Sequence, residues 1–297
     1  MKFFYGNNCE KRPNSYVACR LTKKCPHDCV YCISDEYTTD NVLDKPNIDK
    51  MVESIVITSP DVVIEGGEPL LMMDECLELV QKLRPKVDKI HIYSSMPPIC
   101  STKKDVLKQI LNIVDGINFS MQHYDPIIAD KLRNTVTPDY HNRNELLKEL
   151  VDEFGNKIRV SFNLILGSLD TFEHLYNNIM FFINIGITNL RISELLLMPP
   201  LYVPITSIIK NKKLFKSPYA FGCKLDYDAH QLIDEIPIGK CKITIRRACF
   251  LVEPSEKATI YDLIKMFKLS KKKSDDFNFK IVLEDGTIHN NWNSELT

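Results

Sequence analysis

Between residues 15 and 197 the apolar positions switch repeatedly between two periods. Short solid or alternating runs mark strands, and three-to-four spacing marks helices. Ser15–Leu21 reads as a strand, and Val62–Glu65 as a short apolar strand running into Gly66-Gly67. Asp74–Leu83 has helical spacing, with Asp74 as its N-cap. Strands are predicted at Lys89–Tyr93, Gly116–Ser120, Arg159–Leu166 and Asn189–Leu195. Helices are predicted at Lys103–Val114, Asn142–Glu153 and Thr171–Ile185, the last two stopping near Gly155 and Gly186. About six strands with helices between them imply an α/β fold of right-handed βαβ units around a parallel sheet. Ligands of such sheets gather at the carboxyl ends of the strands.

Past Pro200 the pattern weakens. Pro204, Pro218 and Pro237 interrupt it, Tyr261–Leu269 reads as a helix, and Lys280–Val282 and Thr287–His289 flank a hairpin turn at Glu284-Asp285-Gly286. The expected division is a core over 1–200 and a smaller C-terminal extension over 201–297.

Composition narrows the function. The chain has 297 residues, 44% of them hydrophobic, enough for a substantial core. With 38 basic and 39 acidic residues there is no global positive field for nucleic acid. Lys271-Lys272-Lys273 reads as a solvated stretch. No apolar run reaches the roughly 18 residues of a membrane helix, and Met1–Tyr16 lacks the apolar core of a signal peptide. A cytoplasmic protein without a membrane partner is expected. In that reducing compartment 10 cysteines point to metal ligation rather than disulfides.

The chemistry centres on Cys25-Pro-His-Asp-Cys29-Val-Tyr-Cys32, directly after the first strand. A loop of this spacing can set three thiolates on three corners of a [4Fe-4S] cube. Such clusters usually take four thiolates, so one iron is left for a small chelating ligand, such as an amine and carboxylate. Zinc bound by the three cysteines and His27 is the competing reading, and unligated thiols a third. His27 stands two residues from both Cys25 and Cys29, which is tight for one tetrahedral ion.

CxxxCxxC with an aromatic residue, here Tyr31, before the last cysteine resembles the signature of the radical S-adenosylmethionine (SAM) superfamily. The resemblance spans roughly residues 15–200. It implies a partial (β/α)6 TIM-type barrel with Cys25, Cys29 and Cys32 holding the cluster at its open top. SAM would chelate the unique iron, and reductive cleavage would give a 5′-deoxyadenosyl radical that takes hydrogen from a substrate. An electron donor such as flavodoxin or ferredoxin is implied as well. Gly66, Gly67 and Glu68, within Glu65-Gly-Gly-Glu-Pro69, are similar to the family's GGEP element, which holds the amino group of SAM. By the same resemblance Tyr31 belongs to the cofactor-binding set, Ser120 would contact the carboxylate or ribose, and Asn163 the ribose. Asp130-Lys-Leu-Arg133 resembles the segment after the fourth strand. Arg191-Ile-Ser-Glu194 is similar to the sixth strand of the molybdenum-cofactor-synthesis branch, where backbone near Leu196 would face adenine. Glu194 reads as a substrate residue or as the partner of Arg191.

Cys223, Cys241 and Cys249 fall close together in the extension. Many relatives carry an auxiliary iron–sulfur cluster there, so these three are its expected ligands, with Cys9 or Cys19 as a fourth. Buried reduced thiols are the alternative. Cys76 and Cys100 read as structural, and Arg246-Arg247 could meet an anionic substrate. The molybdenum-cofactor enzymes carry an arginine seven residues before the first cluster cysteine, where this chain has Ala18, and they end in two glycines. GTP cyclisation is therefore not expected. A peptide or a nucleotide or nucleic acid is the expected substrate. The opposing view, a non-enzymatic zinc- or cluster-binding interaction module, gives the Gly66-Gly67-Glu68 turn no purpose.

Overall fold

The structure, a computed structural model, describes residues 16–32, 45–134, 143–195, 201, 203–209, 224–226, 231–248 and 280–289. Cys9, Leu196, Cys223, Cys249, Tyr261–Leu269 and Lys271 lie outside them.

The first half of the chain alternates strand and helix. β1 (Val17–Arg20) leads to α1 (Ile48–Thr58), β2 (Asp61–Glu65), α2 (Met73–Leu83) and β3 (Lys89–Ser94). Then come α3 (Ile99–Thr102), α4 (Lys104–Ile113), β4 (Gly116–Ser120), α5 (Pro126–Arg133), α6 (Arg143–Phe154), β5 (Ile158–Leu164), α7 (Phe172–Asn184) and β6 (Asn189–Glu194). Strands β1 to β6 pair in sequence order, all parallel. Asp74 does not cap α2: Met72 holds that position without a side-chain bond, and Asp74 pairs instead with Lys103 at 2.5 Å.

Period-2 alternation decides which face each strand shows the core. In β5, Ile158, Val160, Phe162 and Leu164 are buried, whereas Arg159, Ser161 and Asn163 are partly exposed. The buried set joins Ile90 and Ile92 of β3 and Phe119 of β4 in one cluster with the helices. From α1 that cluster takes Ile48, Met51, Val52 and Ile55, and from α4 Leu107, Ile110 and Leu111. Each side chain so buried contributes about 1.5–3 kcal/mol.

The opposite face of the sheet is polar. His91, Tyr93, Asn118, Ser120, Arg159, Ser161, Asn163, Arg191 and Ser193 fall on it by alternation and register. Arg191 Nη1 on β6 donates to Tyr93 Oη on β3 at 3.1 Å. With β4 and β5 between them, the two strands would be about 14 Å apart in a flat sheet. The bond therefore crosses a concave face, as in a partial barrel.

The described residues beyond 200 join the same sheet. β7 (Lys224–Asp226), β8 (Gln231–Ile238) and β9 (Cys241–Ala248) extend the β6 edge, and β10 (Ile281–Val282) and β11 (Ile288–His289) extend the β1 edge. β9 lies parallel to β6, with Arg191 opposite Thr244 and Ser193 opposite Arg246. Past residue 200 the described strands lie at the two edges of the β1–β6 sheet. A four-residue helix, α8 (Ile205–Ile208), lies between. Among the described residues no helix is long and apolar enough to cross a membrane.

The C-terminal hairpin is stapled to the start of the barrel. Asn47 N donates to Glu284 O at 2.7 Å, and Ser54 Oγ to Gly286 O at 2.5 Å. Glu284 pairs with Arg20, the last residue of β1, at 3.1 Å, with both side chains buried. Removing one partner of a buried pair leaves the other charge desolvated and unpaired. Glu284→Ala is expected to lower unfolding stability by about 3 kcal/mol, and the double replacement Arg20→Met/Glu284→Leu to recover most of it. Chemical denaturation of the three proteins checks both.

Candidate active site

The cysteine loop leaves β1 at the carboxyl end of the sheet and has no secondary structure of its own. Its backbone groups are held from two sides. From β2, Gly67 N donates to Thr22 O and Glu68 N to Lys24 O, both at 2.8 Å. At the end of α5, Asp28 N donates to Arg133 O at 3.0 Å and Val30 N to Leu132 O at 3.3 Å. Asn134, in the left-handed conformation that ends α5, also donates from Nδ2 to Asp28 Oδ2 at 3.0 Å.

The glycines permit this contact. A Cβ on Gly67 would stand 2.5 Å from Lys23 O and collide with Lys24 O as well. Gly66 has φ +122°, and its Cβ would lie 2.6 Å from Arg20 Cγ. Glu68, expected to help hold SAM, is buried with its carboxylate already occupied. It accepts from Leu70 N at 3.0 Å, Ser94 Oγ at 2.8 Å, Ser95 N at 2.6 Å and Ser95 Oγ at 2.5 Å. Burial pushes its carboxyl pKa up, and these four bonds oppose the shift. The Glu68 side chain therefore anchors the loop after β3.

Cys25 is at the surface of the loop, and Cys29 and Cys32 are half-buried. Loss of water raises the Cys29 thiol to about 11. Among the described residues no three Cys, His, Asp or Glu side chains converge as a single ion requires. His27 is turned aside, with Nε2 2.9 Å from Ser95 Oγ, and burial beside Arg133 drops its pKa to about 3.

Arg133 is the residue that sequence reasoning passed over. It is 1% exposed. Its guanidinium bonds Ser120 O, Ser95 O at 3.5 Å and the Tyr31 hydroxyl, which itself bonds Cys29. No carboxylate bonds it among the described residues. A buried cation without an anion is costly, and a thiolate-ligated iron–sulfur cluster beside Cys29 would bring the missing negative charge. On this ground the loop fits a [4Fe-4S] cluster held by Cys25, Cys29 and Cys32. Tyr31 thus acts from beneath, between Cys29 and Arg133. The signal was available: Arg133 ends the segment Asp130–Arg133 already picked out.

The remaining positions lie at the carboxyl ends of their strands. Ser120 ends β4, with Oγ 3.3 Å from Ser161 Oγ. Asn163, near the end of β5, bonds through its backbone and Nδ2 to Gln122, a buried residue at φ +63°. Glu194 is not the partner of Arg191: its carboxylate accepts from Ile205 N at 2.8 Å, while Arg191 reaches Tyr93.

Two further cysteines of the expected auxiliary set are described. Cys19 is buried beside Cys76 within the helix-facing core, so it is no candidate for a fourth cluster ligand. Cys241 is buried at the amino-terminal end of β9, next to the start of β6. That end of the sheet is opposite the cluster loop. β9 runs seven residues on to Ala248, about 23 Å at strand rise. Cys223 and Cys249, the other two expected ligands of an auxiliary cluster, lie outside the described residues.

A family model described as Radical SAM superfamily matches residues 19–187. The chain belongs to the radical SAM superfamily. Its cofactors are accordingly a [4Fe-4S] cluster and SAM. Over 78 residues, 25% of this chain and 23% of the relative, the sequence is 35% identical to the GTP 3′,8-cyclase of Lactiplantibacillus plantarum. The SAM-bound crystal structure of SuiB from Streptococcus suis aligns over 92% of this chain and 60% of SuiB, with a TM-score of 0.54 and 14% identity. That likeness shows a shared fold. The chain spans less than two thirds of the length of either relative.

The glycine contact gives a direct test. Gly67→Ala is expected to reduce reconstituted iron by about half or more while far-UV circular dichroism is unchanged, because the clash falls on the loop. Iron analysis alongside the spectrum checks it.

Proposed function

We propose that this chain cleaves SAM reductively at the Cys25/Cys29/Cys32 cluster and uses the resulting radical to take hydrogen from a polar substrate. When bound, the reduced cluster supplies the electron that splits SAM into methionine and a 5′-deoxyadenosyl radical. The observation that carries the reading is the loop's double anchorage above a polar concave face, with an uncompensated Arg133 beneath it.

The chain's own groups do the positioning. Gly66 and Gly67 bring the β2 turn against the loop, which leaves the backbone of that turn to meet the amino group of SAM. Ser120 and Asn163 offer polar side chains at neighbouring strand ends, where ribose or carboxylate would lie. The Leu196 backbone follows β6 in the chain and is assigned to adenine on the resemblance alone. The concave face supports a peptide or nucleotide-type substrate over an apolar one, since its lining is hydroxyl, amide and guanidinium. β9 adds Arg246, in register with Ser193, at the same end of the barrel. A flavodoxin or ferredoxin is the proposed electron source.

Anaerobic reconstitution tests the reading. Wild type is expected to bind about four iron per chain and to form 5′-deoxyadenosine from SAM on reduction. Cys25→Ala/Cys29→Ala/Cys32→Ala is expected to lose both. About eight iron per chain, falling to about four in the triple variant, would add an auxiliary cluster. Zinc without iron, in protein kept from oxygen throughout, would overturn the reading in favour of a binding module.

A further inference from the structure

The polar face below the cluster loop holds two buried side chains with open valences. Arg191 is 8% exposed. Its Nη1 is spent on Tyr93 Oη, and its guanidinium lies over the Tyr93 ring, 5.4 Å from the centroid. Its Nε has no partner. Asn118 is 5% exposed and donates from Nδ2 to Ser161 Oγ at 2.8 Å, while its Oδ1 has no partner. Tyr93 is in register with Asn118, and Arg191 with Ser161, so the two open groups occupy adjacent levels of one face. Leaving a buried donor or acceptor unmade is costly, and more so for the charged group. The fold has stacked and oriented the guanidinium by its other edge and left Nε available.

We propose that Arg191 and Asn118 form the substrate's anchoring site, taking a carboxylate with a neighbouring N–H donor, as in an amino acid or the carboxyl terminus of a peptide. This rests on the radical SAM reading above. The carboxylate accepts from the Nε edge of Arg191, the geometry in which guanidinium and carboxylate pair best. The adjacent N–H donates to Asn118 Oδ1. A phosphate fits less well, because Asn118 Oδ1 is an acceptor and would face phosphate oxygens with no hydrogen between them. Tyr93 fixes the guanidinium plane before ligand arrives, so little ordering is left to be done on binding.

The test uses reconstituted protein with SAM present, so that the amino-acid part of SAM is already in place. Glycylglycine, glycylglycinamide and inorganic pyrophosphate are titrated by ligand-observed NMR to on the order of 10 mM, a range suited to weak fragments. Glycylglycine is expected to bind wild type, and the amide about tenfold more weakly. Arg191→Lys and Asn118→Ala are each expected to weaken glycylglycine about tenfold, with iron content and SAM binding as in wild type. Equal binding of the amide, equal binding by Arg191→Lys, or no binding by wild type would overturn the proposal, the last leaving ordered water on these groups. Preferential binding of pyrophosphate would overturn it in favour of a phosphate-bearing substrate. Wild type that holds no iron or SAM would instead overturn the radical SAM reading on which the proposal stands.

Discussion

Everything at this site depends on an irregular loop being held still. A twelve-residue stretch from Leu21 to Cys32 carries the three cysteines and forms no ladder of its own. Its position comes from backbone hydrogen bonds on two sides, with the end of β2 and the turn after it on one and with the end of α5 on the other. Those bonds need the β2 turn to approach without side chains, which is why glycine stands at 66 and 67. They also need α5 to end where it does, with Asn134 in the left-handed conformation and Arg133 folded back underneath. Side-chain entropy would otherwise spread three thiols over many arrangements. Two rigid elements restrict them to one.

Much of this was legible in the chain, for specific reasons. Gly116–Ser120 was found with its observed bounds, and the other five strands of the β1–β6 sheet within one or two residues at each end. The CxxxCxxC spacing and the Gly-Gly turn are local, so they survive being read without a fold. Long-range relations were not legible. Nothing near Glu284 in sequence announces that it pairs with Arg20, 264 residues away. β8 and β9 were missed because Pro237 reads as a breaker, whereas here it sits at the second-last position of β8, paired with Lys242. Glu68 was assigned to the cofactor on the resemblance of its Gly-Gly-Glu-Pro segment, and its bonds to Ser94 and Ser95 were not legible because those residues come from the end of β3. Local motifs tell which residues gather at a site, and only the sheet tells which of their atoms remain available there.

The two faces of the sheet follow from one alternation but answer to different requirements. Toward the helices, branched and aromatic side chains interdigitate and supply the stability. Toward the concave side the same strands present hydroxyl, amide and guanidinium groups, which a stability argument alone would not select. Two of those groups, Arg191 Nε and Asn118 Oδ1, are buried and unmatched. Native folds seldom leave such atoms orphaned without a ligand or water to meet them. The polar face is therefore a region where folding has been made less favourable than a fully apolar barrel would be, and a bound molecule is the natural offset.

The sheet edges extend the same reasoning. An open parallel sheet that ended at β1 and β6 would expose unpaired backbone at both sides. Here the C-terminal segment covers both: β10 against β1, and β9 against β6. The first of these contacts carries the buried Arg20–Glu284 pair, placed at the end of β1 where the cysteine loop begins. The second sets Arg246 in register with Ser193. The residues past 200 thus steady the start of the cluster loop from one edge and continue the sheet at the other. The chain past residue 200 thus covers both edges of the β1–β6 sheet, and Cys241 is buried where β9 begins.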